Sequence, residues 1–170
     1  YQRFIDEMNS AGVYKEYSLD PDQSLEKHFK DYDNLSSGTR GRDDYYVDNV
    51  DISAYIGHGS GDGFTFETSI DDGKLTDADA KGGKAWGNRD LEFQALMSCQ
   101  VLREIHGDRT WAERWGPSFN GMHLLLGFQT NAWVADHNML KFFAKNMYKN
   151  KQTVLISWLN AALNDQPDDT

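Results

Sequence analysis

Residues 50–63 read Val50-Asp51-Ile52-Ser53-Ala54-Tyr55-Ile56-Gly57-His58-Gly59-Ser60-Gly61-Asp62-Gly63, and residues 91–99 read Leu91-Glu92-Phe93-Gln94-Ala95-Leu96-Met97-Ser98-Cys99. Val50–Gly57 is a short apolar run broken by glycine, the pattern of a buried strand. Leu91–Ser98 is a second, leading straight into Cys99. The two segments share one plan. Asn49-Val50-Asp51-Ile52 opens a strand that ends at His58, and Asn88-Arg89-Asp90-Leu91 opens one that ends at Cys99. In an open parallel sheet, catalytic groups gather beyond the carboxyl ends of the strands. As parallel neighbours, these two strands would release His58 and Cys99 at one edge.

Outward from this pair, Phe64-Thr65-Phe66 alternates like a short outer strand, and Met122–Phe128 is a third apolar strand. Phe4, Ile5, Met8 and Ala11 share a helical face stopped by Gly12. Val13–Leu19 reads as a strand and Ser24–Lys30 as a helix. Asp31–Asp44 reads as a polar loop and Asp71–Asn88 as a surface excursion. Thr110–Trp115 is one amphipathic turn. Leu140, Phe143, Ala144 and Met147 mark a helix, as do Leu155, Trp158, Leu159 and Ala162. Strands alternating with helices predict an α/β fold with a mostly parallel sheet in three layers, and 170 residues fit a single domain.

The charge of −10 is uneven: residues 1–100 hold 20 acids against 10 bases, so the half bearing His58 carries the excess. Such a surface repels phosphate backbones and excludes nucleic acid as the expected partner. A basic peptide or protein substrate suits it better. No apolar run approaches the roughly 20 residues of a membrane span. One cysteine rules out an internal disulfide and a thiolate zinc cluster. The chain opens at Tyr1 with no targeting pattern, which reads as a processed product or a fragment and leaves secretion open. Asn34-Leu35-Ser36 fits a glycosylation sequon.

His58 and Cys99 supply the two parts of thiol catalysis. Only the thiolate attacks carbonyls well, and a neighbouring imidazole both generates it and returns a proton to the leaving amine. Glycines around His58 let a backbone approach substrate, so the Gly59 and Cys99 N–H groups are the expected oxyanion donors. Asp62, Trp111 and Trp115 are the expected substrate contacts, the two tryptophans sharing a face at i and i+4, where core packing competes with a groove. Of the other histidines, His28 reads as helix surface, His106 and His137 as loop residues, and His123 as a hydrogen-bonded core residue. No metal motif appears. Calcium is weighed at Asp71–Asp79, but that run lacks EF-hand spacing and reads as a solvated loop.

Tyr55-Ile56-Gly57-His58-Gly59 and Ala95-Leu96-Met97-Ser98-Cys99 resemble the His-Gly and Cys strand ends of the caspase, legumain and gingipain group of cysteine peptidases. A closer resemblance covers nearly the whole chain. It is to a family of uncharacterised proteins sharing Tyr46–Asp51, Gly57-His58-Gly59, Trp86–Leu91, Cys99, Arg114-Trp115-Gly116-Pro117 and Leu124–Phe128. The peptidase resemblance implies a caspase-like sandwich and a His58/Cys99 dyad that forms an acyl-enzyme. It also implies an upstream first strand that this chain lacks, to be supplied by removed residues, a second copy or a strand-donating partner. Ser98 before Cys99 and Val101 two places after it depart from the caspase signature, so aspartate specificity is not carried over. The rival expectation is an inactive caspase-like binding or assembly subunit, with an extracellular assembly as a third.

Overall fold

The computed structural model describes residues 2–35, 38–68, 70–82, 84–134 and 138–167. The chain forms two compact units, residues 19–130 and residues 1–18 with 131–170.

The larger unit is built on a parallel sheet. Strand β1 (Ile52–Ile56) pairs with β5 (Phe93–Met97), and β5 pairs with β8 (Leu124–Leu126), in the order β1-β5-β8. All three apolar runs thus become strands, and continuous rather than alternating hydrophobicity suits a parallel sheet. An antiparallel sheet of β2 (Gly59–Ser60), β3 (Gly63–Thr65) and β4 (Lys74–Thr76) follows His58 directly. A hairpin of β6 (Ile105–His106) and β7 (Arg109–Thr110) leads into helix α2 (Trp111–Trp115). That helix starts at a reciprocal cap. The Glu113 N–H donates to Thr110 Oγ1 at 3.3 Å, and the Thr110 N–H donates to Glu113 Oε2 at 2.8 Å. The fold class is α/β.

The core of this unit is aromatic. Trp86 and Trp115 stack at 5.9 Å, and Phe29, Tyr55, Phe64 and Phe66 form edge and tilted contacts beside them. Buried indoles need acceptors: Trp86 Nε1 donates to the Phe29 carbonyl at 2.7 Å and Trp115 Nε1 to that of Val101 at 2.8 Å.

Three local expectations are corrected. Val13–Leu19 joins no sheet. Tyr14 is 84% exposed, and β-propensity has little to act on without a face to bury. Ser24–Lys30 forms only one 3₁₀ turn, Glu26–His28, and Glu26, His28 and, beyond the turn, Lys30 are buried. Residues 71–88 are no surface excursion: they contain β4 and bury Leu75, Ala80, Ala85 and Trp86.

In the smaller unit, α1 (Gln2–Ser10) buries Ile5 and Met8 and stops at Gly12, whose φ of +79° suits glycine. Helices α3 (Asn138–Tyr148) and α4 (Val154–Asp165) pack together, with Phe143 edge-on to Trp158 at 5.4 Å. Ser157, Trp158 and Ala161 form the buried face of α4, which leaves Leu155 and Leu159 exposed, so the core stripe is rotated from the expected one. No described helix is long and apolar enough to cross a membrane.

Candidate active site

The two strands that end at His58 and Cys99 are aligned from their amino ends. Asp48 is buried, and its carboxylate accepts the N–H groups of Gly87 at 2.6 Å, Arg89 at 3.2 Å and Leu91 at 3.3 Å. Burial pushes this carboxyl up, against the pull of those three amides. Three residues further on, the Asp51 carbonyl accepts the N–H groups of Glu92 and Phe93, each at 3.0 Å. The Tyr46–Asp51 and Trp86–Leu91 stretches therefore clamp each other, and β1 and β5 leave the clamp in fixed register. Gly87 permits it with a φ of +93° and no side chain, since a Cβ there would lie 1.9 Å from the Met122 nitrogen.

At the carboxyl ends, Ile56 pairs with Met97, and the Gly57 N–H donates to the Met97 carbonyl at 3.3 Å. His58 and Cys99 each stand two residues beyond that last pair, on adjacent parallel strands, as the sequence predicts. His58 is exposed and Cys99 half-buried. Gly59 presses on the second strand end: a Cβ would lie 2.1 Å from Ser98 Oγ and 2.8 Å from the Cys99 carbonyl oxygen. The Thr65 N–H donates to the His58 carbonyl at 3.0 Å. Hydrogen-bonded pairs alternate in an antiparallel ladder, so Gly59 opposite Phe64 turns its N–H away from β3.

The expected substrate contacts fare unequally. Asp62 is engaged: His106 Nε2 lies 2.7 Å from Oδ1 and Lys74 Nζ 3.3 Å from Oδ2. Partial burial pushes this carboxyl up, but Lys74 and His106 outweigh it and hold it below the usual range. Trp115 is fully buried, so its expected place in a substrate groove is corrected to the core. Trp111 is 45% exposed and borders a hollow of about 460 Å³ with Leu102, Glu104, Leu125, Gly127 and Gln129. Sequence reasoning found only the tryptophan there, because the other residues come from two chain segments that nothing in the sequence links.

Among the histidines, His28 is buried rather than on a helix surface. Its Nδ1 accepts the Leu25 N–H at 3.2 Å and its ring lies on Tyr46 at 4.0 Å. His106 is on β6, His123 is exposed beside Glu92 instead of in the core, and His137 lies outside the described residues. Ser36 of the sequon also lies outside them, while Asn34 Nδ2 donates to the Ala78 carbonyl at 2.8 Å. In the acidic loop, Asp77 binds Arg109 through two hydrogen bonds of 2.6 and 2.9 Å, and Asp79 Oδ2 accepts the Thr76 N–H at 3.0 Å. Among the described residues no three His, Cys, Asp or Glu side chains are grouped to hold a metal ion.

A second group of acids is buried, although the polar stretch 31–44 that supplies three of its four members predicts a solvated loop. Asp31, Asp43, Asp44 and Asp48 are all buried. Asp43 Oδ1 accepts the Asp44 N–H at 2.9 Å, while Oδ2 has no hydrogen-bond partner among the described residues. Burial pushes the Asp43 carboxyl up to about 8; the Asp44 amide opposes this, and the charges of Asp31, Asp44 and Asp48 add to it.

Fold and site define an α/β protein that presents a histidine and a cysteine at adjacent strand ends of a parallel sheet. The chain belongs to the family described as Domain of unknown function (DUF6345), whose model matches residues 1–170. No curated protein and no solved structure matches it.

Proposed function

We propose that this chain is a cysteine-dependent peptidase or amidase of caspase-like architecture, acting through His58 and Cys99. The observation that carries the reading is the register, with the two residues at equivalent positions beyond paired parallel strands. In the reaction His58 takes the Cys99 proton, and Sγ attacks the substrate carbonyl carbon to form a C–S bond. The electron pair moves to the carbonyl oxygen, where the Gly59 and Cys99 N–H groups would hold it. Collapse expels the amine, which takes the proton from His58. Water, deprotonated by the same imidazole, then cleaves the thioester and frees the acid. Edge strand β1 is the place where a partner strand would add, which keeps a second copy or a strand-donating protein within this reading.

The test is the alkylation rate of Cys99 by iodoacetamide at neutral pH, in the unmodified protein and in His58→Ala. Activation by the imidazole predicts a fast rate that falls at least about tenfold in the variant. A slow rate, equal in both proteins, would remove the peptidase reading and favour an inactive scaffold.

A further inference from the structure

We propose that Asp62 and His106 are positioning residues: their contact fastens the loop that carries His58 to the segment that leaves Cys99, and so holds imidazole and thiol in line. The inference rests on the reading of His58 and Cys99 as a dyad and adds the contact that governs it.

The strand ladder stops short of the site. The Asp48 clamp fixes β1 and β5 from their amino ends, and Ile56 opposite Met97 is the last pair. His58 and Cys99 stand beyond it, where the backbone is held by other means. Residues 57–63 carry glycine at every second position, and each glycine is pressed against a neighbour. A Cβ at Gly57 would overlap the Tyr55 hydroxyl, at Gly59 the Ser98 hydroxyl, at Gly61 the His106 ring and at Gly63 the Leu75 carbonyl. The stretch is thus a packed strip in which glycine serves close approach. One of these neighbours, Ser98, adjoins Cys99. Another, His106, belongs to the hairpin that begins at Ile105, six residues beyond Cys99.

Asp62 closes the join. His106 turns Nδ1 to Gly61 and Nε2 to Asp62, whose Oδ1 lies 2.7 Å away, while Asp62 Oδ2 faces Lys74 Nζ on β4 at 3.3 Å. A pair between mobile surface side chains contributes little, because ordering both ends offsets the attraction. Here both ends are ordered by other contacts. The strip around Asp62 is packed, and the hairpin is anchored. Arg109 donates two hydrogen bonds to Asp77 at 2.6 and 2.9 Å, and buried Arg114 donates to the Arg103 and Arg109 carbonyls at 2.7 and 2.9 Å. The segments that leave the two strand ends are therefore cross-linked. Reaction geometry is sensitive to such support: a misplacement of about 1 Å can cost on the order of 100-fold in rate.

Three variants separate the polar contact from the packing. His106→Phe keeps a ring against Gly61 and removes the donor, His106→Lys removes the ring and keeps a donor for Asp62, and Asp62→Ala removes the acceptor. Alkylation of Cys99 by iodoacetamide at neutral pH is expected to slow roughly threefold to fivefold in Asp62→Ala and in His106→Phe, no further in the double variant, and to recover in His106→Lys. A role confined to packing predicts the reverse, with phenylalanine tolerated and lysine not. A rate unmoved by His106→Phe, or lost equally in His106→Lys, overturns the inference. Exchange of the Thr65 amide, which donates to the His58 carbonyl at 3.0 Å, reads the loop without the chemistry and should quicken in Asp62→Ala and His106→Phe. Fast, His58-dependent alkylation that ignores both variants keeps the dyad and removes the join. Slow, His58-independent alkylation with quickened Thr65 exchange keeps the join and removes the dyad. If neither responds, both are removed.

Discussion

Replacing Asp43 with asparagine should stabilise the protein, by an amount that grows with pH. Asp43 is fully buried, and burial together with the charges of Asp31, Asp44 and Asp48 lifts its carboxyl from an ordinary 3.8 to about 8, against the Asp44 amide. An unfolded chain releases this proton near pH 4, whereas the folded chain keeps it until about pH 8. Between those values the folded state binds more protons than the unfolded state, so stability falls as pH rises, by about 1.4 kcal/mol per pH unit. Below pH 4 the penalty is absent, and above pH 8 it is complete. At pH 7 it is on the order of 4 kcal/mol, a large part of the 5–15 kcal/mol typical of a domain. Asparagine keeps the oxygen that accepts the Asp44 N–H, and its amide takes the place of the protonated Oδ2. Urea unfolding at pH 5, 6, 7 and 8 is the assay. The gap between Asp43→Asn and the unmodified protein should widen with a slope near that value and level off past pH 8. Parallel pH profiles, or a gap that narrows as pH rises, would refute a buried, protonated Asp43.

His28 gives the opposite slope. Burial, with the Lys27 and Arg42 charges adding, lowers it to about 4 from 6.5, so stability is full above pH 6.5 and is lost as pH falls toward 4. His28→Gln should flatten that acid limb in thermal melts, removing on the order of 3 kcal/mol of pH dependence. Gly59→Ala drives a methyl into Ser98 and should cost about 1–3 kcal/mol in a urea titration. It should also slow Cys99 alkylation, which an unchanged rate would contradict. Trp115→Phe keeps an apolar ring but orphans the Val101 carbonyl, for an expected loss of about 1–3 kcal/mol at the unfolding midpoint.

What sequence could reveal depended on whether a signal was local. The strands at 52–56, 93–97 and 124–126 were legible because a parallel strand is apolar along its whole length, and α2 because Thr110–Trp115 is a single amphipathic turn whose pattern is local. His58 and Cys99 were legible as strand-end residues for the same reason. Val13–Leu19 misled because its composition suits a strand but no neighbour covers it. Ser24–Lys30 and Asp31–Asp44 misled because burial of Glu26, Lys30, Asp31 and Asp43 follows from tertiary contacts with residues far along the chain, such as the Asp31 N–H bond to the Asp79 carbonyl at 3.0 Å. The hollow was not legible because Leu125, Gly127 and Gln129 reach Leu102 and Glu104 from a segment about twenty residues further along the chain.

The clamp at Asp48 has a consequence for how such a protein changes over time or under engineering. It aligns β1 and β5 from the end of the sheet opposite His58 and Cys99, about 17 Å away along five-residue strands. Alignment is thus set at the amino ends of the two strands, and His58 and Cys99 stand beyond their carboxyl ends. The register of the two strand ends is therefore held from below, whatever the length of the loops beyond them. Substitution of Asp48 alone should therefore shift both strand ends at once.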